Sequence, residues 1–291
     1  MDLEYVATIA AALSVFFIAS VEDVREREVS NLLWIILGGV AFVVIALNVY
    51  TGRLPLPGAS AIVLVLPFFL FADMFIDWNG ALGRRGTLLR YTIGICLLLI
   101  SAYEVYPFIG LTYVDIAASI PLWILFIIVL YKIDVIKGGA DAKSLVTLTL
   151  LFPVYPPAVT GMVQPLFAAL TLPFFLSVLL MGAIFSLSIP IALFAENAAR
   201  GRVKLPHMFL GRQKDVSSVD LRKEWLLEVP DETGNPRRVK KLGSVDEDCM
   251  LDRMRSLGWR TAWTSPKIPF ILALTAGLLF VLVFGDPLLY L

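Results

Sequence analysis

The chain has 291 residues, of which 58% are hydrophobic and only 16% are charged, and its formal net charge is zero. A soluble domain of this length carries about 25% charged residues. The apolar residues here form long runs, and runs of about 18 or more are typical of membrane-spanning helices. The composition excludes an ordinary soluble protein and predicts an all-α, polytopic transmembrane helix bundle, which acts as an enzyme, a transporter or a receptor.

Eight apolar runs are predicted to span the membrane. They cover roughly residues 3–21, 32–50, 59–76, 88–106, 114–131, 142–152, 166–194 and 268–284. Pro173 and Pro190 are expected to bend the seventh run. The predicted division is a transmembrane core over residues 1–195, a polar segment over 196–265 and a C-terminal transmembrane helix over 266–291.

Basic residues alternate along this series of predicted spans. After the even-numbered spans, Arg53 is almost the only basic residue. The basic residues after the odd-numbered spans are Arg25, Arg27, Arg84, Arg85, Lys132, Lys137 and the many bases of residues 200–267. Short loops rich in Lys and Arg stay in the cytoplasm. The pattern predicts a multi-pass protein of the cell membrane, with its N-terminus outside and its polar segment in the cytoplasm.

One stretch between two predicted spans combines glycines with an acid: Gly138-Gly139-Ala140-Asp141-Ala142-Lys143. An ionised carboxylate at membrane depth is costly, so Asp141 is a candidate functional residue by default. The two glycines allow a sharp turn and close packing. A partner for Asp141 is predicted in Asp23, at the end of the first span. The loop charges support this pairing independently, because they place both aspartates on the cytoplasmic side.

Two carboxylates in a site of low dielectric constant share a proton and titrate in two apparent steps. The ionised carboxylate can take a proton from water, and the protonated one can assist the scissile carbonyl and the leaving amine. The pair predicts peptide hydrolysis with no cofactor and no covalent intermediate. The sequence does not assign the acid and the base separately.

Several alternatives stand beside this interpretation. An aspartate at the end of a span can simply reach the membrane interface, as expected for Asp73, Asp77, Asp115 and Asp134. The pair of carboxylates could also hold a divalent cation, because carboxylates suit hard metals. Cys96 and Cys249 lack CxxC neighbours, which excludes a zinc ribbon. His207 is the single histidine and is expected to be structural or exposed.

At these residues the chain resembles the archaeal prepilin and preflagellin peptidases, which are membrane aspartic proteases of the GxGD type. The stretch Asp23-Val24-Arg25-Glu26-Arg27-Glu28-Val29-Ser30-Asn31 is similar to the first-aspartate motif of that family, and residues 138–143 are similar to the second. Residues 263–270 resemble the segment that enters the last span. Ala140 stands where the family name has its second glycine.

The resemblance implies Asp23 and Asp141 as catalytic residues, with Gly138, Gly139, Lys143, Arg27 and Asn31 as supporting motif positions. It implies that the substrates are precursors of archaellins or of type IV pilin-like subunits, which carry a short basic leader before an apolar helix. Cleavage would occur at the cytoplasmic edge of the membrane. Bacterial relatives carry a zinc-type cysteine cluster and N-methylate their product. This chain has no such cluster, so the resemblance implies protease activity only.

The sequence leaves two other functions open. A presenilin-like protease would cut inside helices, but its first aspartate would lie in the middle of a span, unlike Asp23. A transporter would use Asp141 in an ion pathway and would show matching interrupted helices in its two halves. The partners expected are the precursor and the lipid bilayer, with no nucleic acid, and the oligomeric state is left undetermined.

The polar segment admits two interpretations. Asp231, Glu232, Asp246, Glu247 and Asp248 could attract a basic leader peptide, or the segment could be a solvated loop, which we favour. Residues 245–257 are predicted to form an amphipathic helix with Met250, Met254 and Leu257 on one face.

Overall fold

The computed structural model describes residues 3–52, 64–110, 112–156, 172–239 and 246–290, and these residues are mostly helical. The helices are α1 (Leu3–Glu26), α2 (Asn31–Tyr50), α3 (Leu66–Asp73), α4 (Trp78–Val105), α5 (Thr112–Lys132), α6 (Gly139–Leu151), α7 (Phe174–Ser186), α8 (Ser188–Ala199), α9 (His207–Leu210), α10 (Glu247–Ser256) and α11 (Phe270–Phe284). The strands are β1 (Arg212–Asp215), β2 (Glu224–Leu226), β3 (Glu228–Pro230), β4 (Pro236–Arg238) and β5 (Thr261–Pro266).

Five of these helical stretches are long and apolar enough to cross a membrane. They are Glu4–Glu26, Asn31–Tyr50, Gly80–Phe108, Asp115–Lys132 and Phe174–Ala199, and they correspond to the predicted spans one, two, four, five and seven. The third predicted span lies partly outside the described residues. The sixth and the last coincide with helices of 13 and 15 residues. The count of eight spans and their orientation therefore remain predictions.

The chain divides into two compact units. Unit 1 comprises Met1–Asp23, Glu28–Gly182 and Ile271–Leu291, and unit 2 comprises Val24–Arg27 and Ala183–Phe270. The predicted boundaries at residues 195/196 and 265/266 both fall inside unit 2. The three-part division of the chain stays a prediction.

Helix α6 is the buried element of unit 1 and packs against α2 and α5. Its residues from Ser144 to Leu151 are buried, although three of them carry hydroxyl groups. The hydroxyl groups of Ser144, Thr147 and Thr149 donate to backbone carbonyls of the preceding turn at 2.6–2.9 Å. Because their polar atoms are satisfied within the helix, these small residues allow close helix packing without a desolvation penalty.

Glycines bring α7 and α11 together in unit 1. A Cβ on Gly277 would lie only 2.6 Å from the backbone oxygen of Val178, so no larger residue fits there. Close approach through small residues is the usual way in which membrane helices associate. Helix α11 is also joined to α1, because the hydroxyl groups of Ser20 and Thr275 lie 2.7 Å apart in a buried hydrogen bond.

The described part of the seventh predicted span consists of two helices, with a break at Leu187 between α7 and α8. Pro190 lies in the first turn of α8, where the missing N–H of proline would have no partner within the helix in any case. Pro190 was expected to bend a continuous helix. Instead, the helix is interrupted at Leu187, three residues before Pro190. Pro173 precedes α7 and does not bend it.

Unit 2 shows that the polar segment is folded, which differs from both the all-α prediction and the favoured solvated loop. A three-stranded antiparallel sheet has the order β1-β5-β2, and β3 pairs with β4. Helix α10 covers a small core that contains Leu226, Val229 and Ala262. The predicted amphipathic helix is present, and Met254 is buried, but Leu251 takes the buried place expected for Leu257, which is exposed.

The acidic residues of this unit have structural partners. Asp231 accepts hydrogen bonds from the backbone of Thr233 and Asn235 in a turn. Asp246 caps α10 by accepting from the N–H of Cys249, and Glu247 accepts from the N–H of Leu226. Burial raises the pKa of Glu247, which fits a role inside the fold. These contacts explain three of the five acidic residues without a peptide ligand.

Candidate active site

Asp23 lies in the last turn of α1, at the predicted end of the first span. Its carboxylate oxygen Oδ2 accepts a hydrogen bond of 3.1 Å from the backbone N–H of Ile271. Ile271 is the second residue of α11, so Asp23 occupies the N-terminus of that helix. The first N–H groups of a helix have no partner within it and carry partial positive charge, which favours an ionised carboxylate.

The loop that follows Asp23 is ordered by hydrogen bonds of its own. The hydroxyl oxygen of Ser30 caps α2 by accepting from the N–H of Leu32 at 3.3 Å. The backbone N–H of Ser30 donates to Glu22 Oε2 at 2.9 Å. The residues of the first motif stretch therefore lead directly from α1 into α2 over a short, fixed turn.

Asp141 lies in the first turn of α6, and its carboxylate packs against the backbone of Gly138. A Cβ on Gly138 would lie 2.8 Å from Asp141 Cγ, which is shorter than any normal carbon contact. Gly138 has φ −87° and ψ 127°, so it is needed for close approach and not for a turn. Ala140 is already helical, so a second glycine is not required at that position.

Asp23 and Asp141 both belong to unit 1. The two side chains lie close enough for the charge of Asp23 to act on Asp141. Both side chains are partly buried. Each lies at one end of a helix, Asp23 at the C-terminus of α1 and Asp141 at the N-terminus of α6.

Lys143 and Asn31 connect the two motif stretches. The ammonium group of Lys143 donates a 2.7 Å hydrogen bond to Asn31 Oδ1, at the first residue of α2. The same ammonium lies 4.7 Å from the centre of the Phe75 ring. These contacts make Lys143 a bridge between the helix that carries Asp141 and the helix that follows Asp23.

Gly139 and Arg27 contribute less to the described geometry. A Cβ on Gly139 would have ordinary contact, 3.5 Å, with the hydroxyl of Tyr131, so a side chain fits there. Arg27 has a φ of 61°, which is rare for a residue with a side chain. Its Nε and Nη1 are buried without a hydrogen-bond partner in the part of the chain that the structure describes. Its supporting role stays a prediction.

The sequence did not reveal a buried ion pair near the second motif. Asp73 was expected to reach the membrane interface, but its side chain is 7% exposed and pairs with Arg90 at 2.5 Å. Trp78 Nε1 donates to the other oxygen of Asp73 at 2.9 Å. The possible signal was an arginine inside a predicted span, because such a cation is rarely left without a partner.

His207 belongs to unit 2 and is buried there. Its Nε2 lies 3.4 Å from Glu228 Oε1, and Lys204 forms an ion pair with the same carboxylate. Burial lowers the pKa of His207, and the nearby Glu228 only partly opposes this effect. The expected structural role agrees with this environment. Among the described residues, no three His, Cys, Asp or Glu side chains gather as a group that could hold a metal ion.

Comparison with known proteins found two similar chains. The preflagellin peptidase of Methanocaldococcus jannaschii is 28% identical over 158 residues, which cover 52% of this chain and 64% of that protein. The preflagellin peptidase of Methanococcus voltae is 24% identical over 287 residues, which cover 96% of both chains. No family model matches the sequence. These similarities confirm the resemblance to preflagellin peptidases that the two motif stretches predict.

Proposed function

We propose that this protein is a membrane aspartic endopeptidase that removes the leader from archaellin or type IV pilin-like precursors. The observation that carries the proposal is the approach of Asp23 and Asp141, which come from helices far apart in the sequence. The similarity to two preflagellin peptidases supports the same reaction class.

The surroundings of the two aspartates suggest different protonation states. Asp23 accepts from the first turn of α11, and the helix dipole there favours its anion. The dipole of α6 favours an anion at Asp141 in the same way, but the residues that follow Asp141 are buried and the neighbouring charge of Asp23 opposes a second anion, so Asp141 is the carboxyl group that keeps the proton. We therefore assign Asp23 as the base and Asp141 as the acid.

The reaction then proceeds by attack of water. Asp23 takes a proton from the water, whose oxygen adds to the scissile carbonyl carbon, while Asp141 gives its proton to the carbonyl oxygen. The tetrahedral intermediate collapses when Asp23 passes its proton to the leaving amine and Asp141 recovers the proton of one hydroxyl group. The two carboxyl groups return to their starting states without a covalent intermediate.

The substrate follows from the resemblance and from the predicted topology. Precursors of this kind have a basic leader and an apolar helix, and two aspartates at the cytoplasmic membrane edge would meet the junction between them. The apolar helix would enter laterally and pack among the spans. A presenilin-like activity is disfavoured because Asp23 lies in the last turn of α1 and not in its middle.

The decisive experiment compares aspartate-to-asparagine variants in membranes incubated with a precursor subunit. Asp23→Asn and Asp141→Asn should each abolish cleavage while the protein still accumulates in the membrane. Asp134→Asn is a matched control, because Asp134 is exposed and has a φ of 61°, which asparagine tolerates. Substantial cleavage by a folded Asp23→Asn or Asp141→Asn variant would remove that residue from the mechanism.

The proposed orientation has its own test. Single cysteines replacing the exposed residues Glu28 and Lys137 should react with a membrane-impermeant thiol reagent only from the cytoplasmic side, in a background without Cys96 and Cys249. Labelling of the two positions from opposite sides would contradict the shared active site.

A further inference from the structure

A groove lies between α3, α4 and α5 of unit 1, beside the proposed active site. Its inner part has a volume of about 230 Å³ and an apolar lining that includes Phe69, Leu70, Leu98 and Leu125. An adjoining cavity of about 140 Å³ is lined by both charged and apolar residues and reaches Gly139 and Lys143. The two parts share Asp73, Arg90, Ile128 and Lys132, so they form one continuous groove.

The polar end of the groove carries excess positive charge. Arg90, Lys132 and Lys143 supply three cations, and Asp73 supplies one anion, which leaves a net charge of +2. Asp73 forms an ion pair with Arg90, whereas Lys143 donates a hydrogen bond to Asn31, which is neutral and leaves the charge of Lys143 uncompensated by that contact. Lys132 is exposed. This end is therefore complementary to an anion.

The dimensions of the apolar part restrict what can enter it. Arg90 and Leu98 are eight residues apart on α4, so the groove extends about 12 Å along the helix. A volume of about 230 Å³ for the centres of water-sized atoms over that length corresponds to a groove about 5 Å wide for those centres, or about 8 Å between its walls. An α-helix with side chains is about 10 Å across and does not fit, whereas one extended hydrocarbon chain does.

We propose that this groove binds one anionic phospholipid, with its phosphate between Lys132 and Arg90 and one hydrocarbon chain between α3, α4 and α5. A basic leader peptide is repelled by the cationic end, and the apolar helix of a precursor is too thick for the inner part. Helices α4 and α5 are both long and apolar enough to span a membrane, so the groove is open to lipid. The proposal goes beyond the protease activity and does not require it.

The first test needs no variant. The full-length protein is purified in a mild detergent and titrated with phosphatidylglycerol, with phosphatidylcholine or with inorganic phosphate, and bound lipid is counted by native mass spectrometry. We expect one tightly retained phosphatidylglycerol, weaker retention of phosphatidylcholine and no displacement by phosphate. Equal retention of the two lipids, or full displacement by phosphate, would overturn the proposal.

Two variants test the two ends of the groove separately. Lys132→Gln removes a cation and should weaken binding of phosphatidylglycerol about fivefold, which is the effect of one basic residue near an anionic lipid. Gly94→Leu fills the inner part, because a Cβ on Gly94 has only an ordinary contact of 3.5 Å with Phe69. This variant should reduce retention of both lipids.

Matched controls exist for both changes. Arg85→Gln removes a cation outside the groove, and Gly39→Leu adds the same side chain where a Cβ meets nothing within 4 Å. Both controls should bind lipid as the unchanged protein does. Normal retention by folded Gly94→Leu, or displacement of the lipid by a precursor helix, would refute the proposal. Asp141→Asn should bind lipid normally, which separates this result from failure of the protease proposal.

Discussion

The contact between Gly138 and Asp141 gives the sharpest prediction. Gly138→Ala places a methyl group 2.8 Å from Asp141 Cγ, whereas carbon atoms normally approach to about 3.5–4.0 Å. The carboxylate must therefore move by about 1 Å. The backbone itself is not strained, since φ is −87° at this position.

Displacement of a reacting group by about 1 Å can lower a rate by about 100-fold. We expect this loss in the cleavage rate of Gly138→Ala, with the protein folded and present at its normal level. Gly139→Ala is the matched control, because its methyl group meets the Tyr131 hydroxyl at an ordinary 3.5 Å. It should keep nearly full activity and gain about 0.5–1 kcal/mol of helix stability.

The assay is cleavage of a precursor in membranes, measured as an initial rate per amount of folded protein. Melting temperatures of both variants in detergent show whether the fold is intact. If Gly138→Ala cleaves as fast as the unchanged protein, the observed position of the Asp141 carboxylate is not the working one. Equal losses in both glycine variants would also refute the reasoning.

Two further predictions concern other parts of the chain. Lys143→Met removes a hydrogen bond from a charged donor, worth about 1.5 kcal/mol at a partly exposed site, so cleavage should slow about tenfold. The control variant Lys137→Met should leave the cleavage rate unchanged. A loss of less than twofold in Lys143→Met would contradict the bridging role. His207 has a pKa lowered by burial from its ordinary 6.5, so the unfolded chain takes up a proton first and unit 2 should lose stability as the pH falls below about 6.5. Fluorescence of the nearby Trp263 during denaturation measures this, and His207→Gln should flatten the dependence.

The helical unit was the easier part to predict from the sequence. Long apolar runs identify α1, α2, α4, α5 and the α7–α8 pair, because hydropathy alone reports them. The pairing of Asp23 with Asp141 stays a prediction; it rests on the positions of the two aspartates at the ends of apolar runs and is supported by the alternation of basic loops.

The strands of unit 2 gave no such signal. Four of the five have only three or four residues, too few to establish the two-residue alternation of a half-buried strand. Contacts between residues far apart in the chain also gave no signal in the sequence. Nothing near Asp23 or Asp286 in the sequence indicates that their carboxylates accept from Ile271 and Leu172, which are more than 100 positions away.

Asp23 and the backbone N–H of Ile271 that binds its carboxylate are 248 positions apart in the chain. A nascent polypeptide released only as far as residue 260 contains both proposed catalytic aspartates but lacks α11. Such a polypeptide lacks one of the groups that hold the Asp23 carboxylate. We therefore expect the proposed proteolysis to require insertion of α11, so that a nascent chain without this helix does not cut neighbouring membrane proteins.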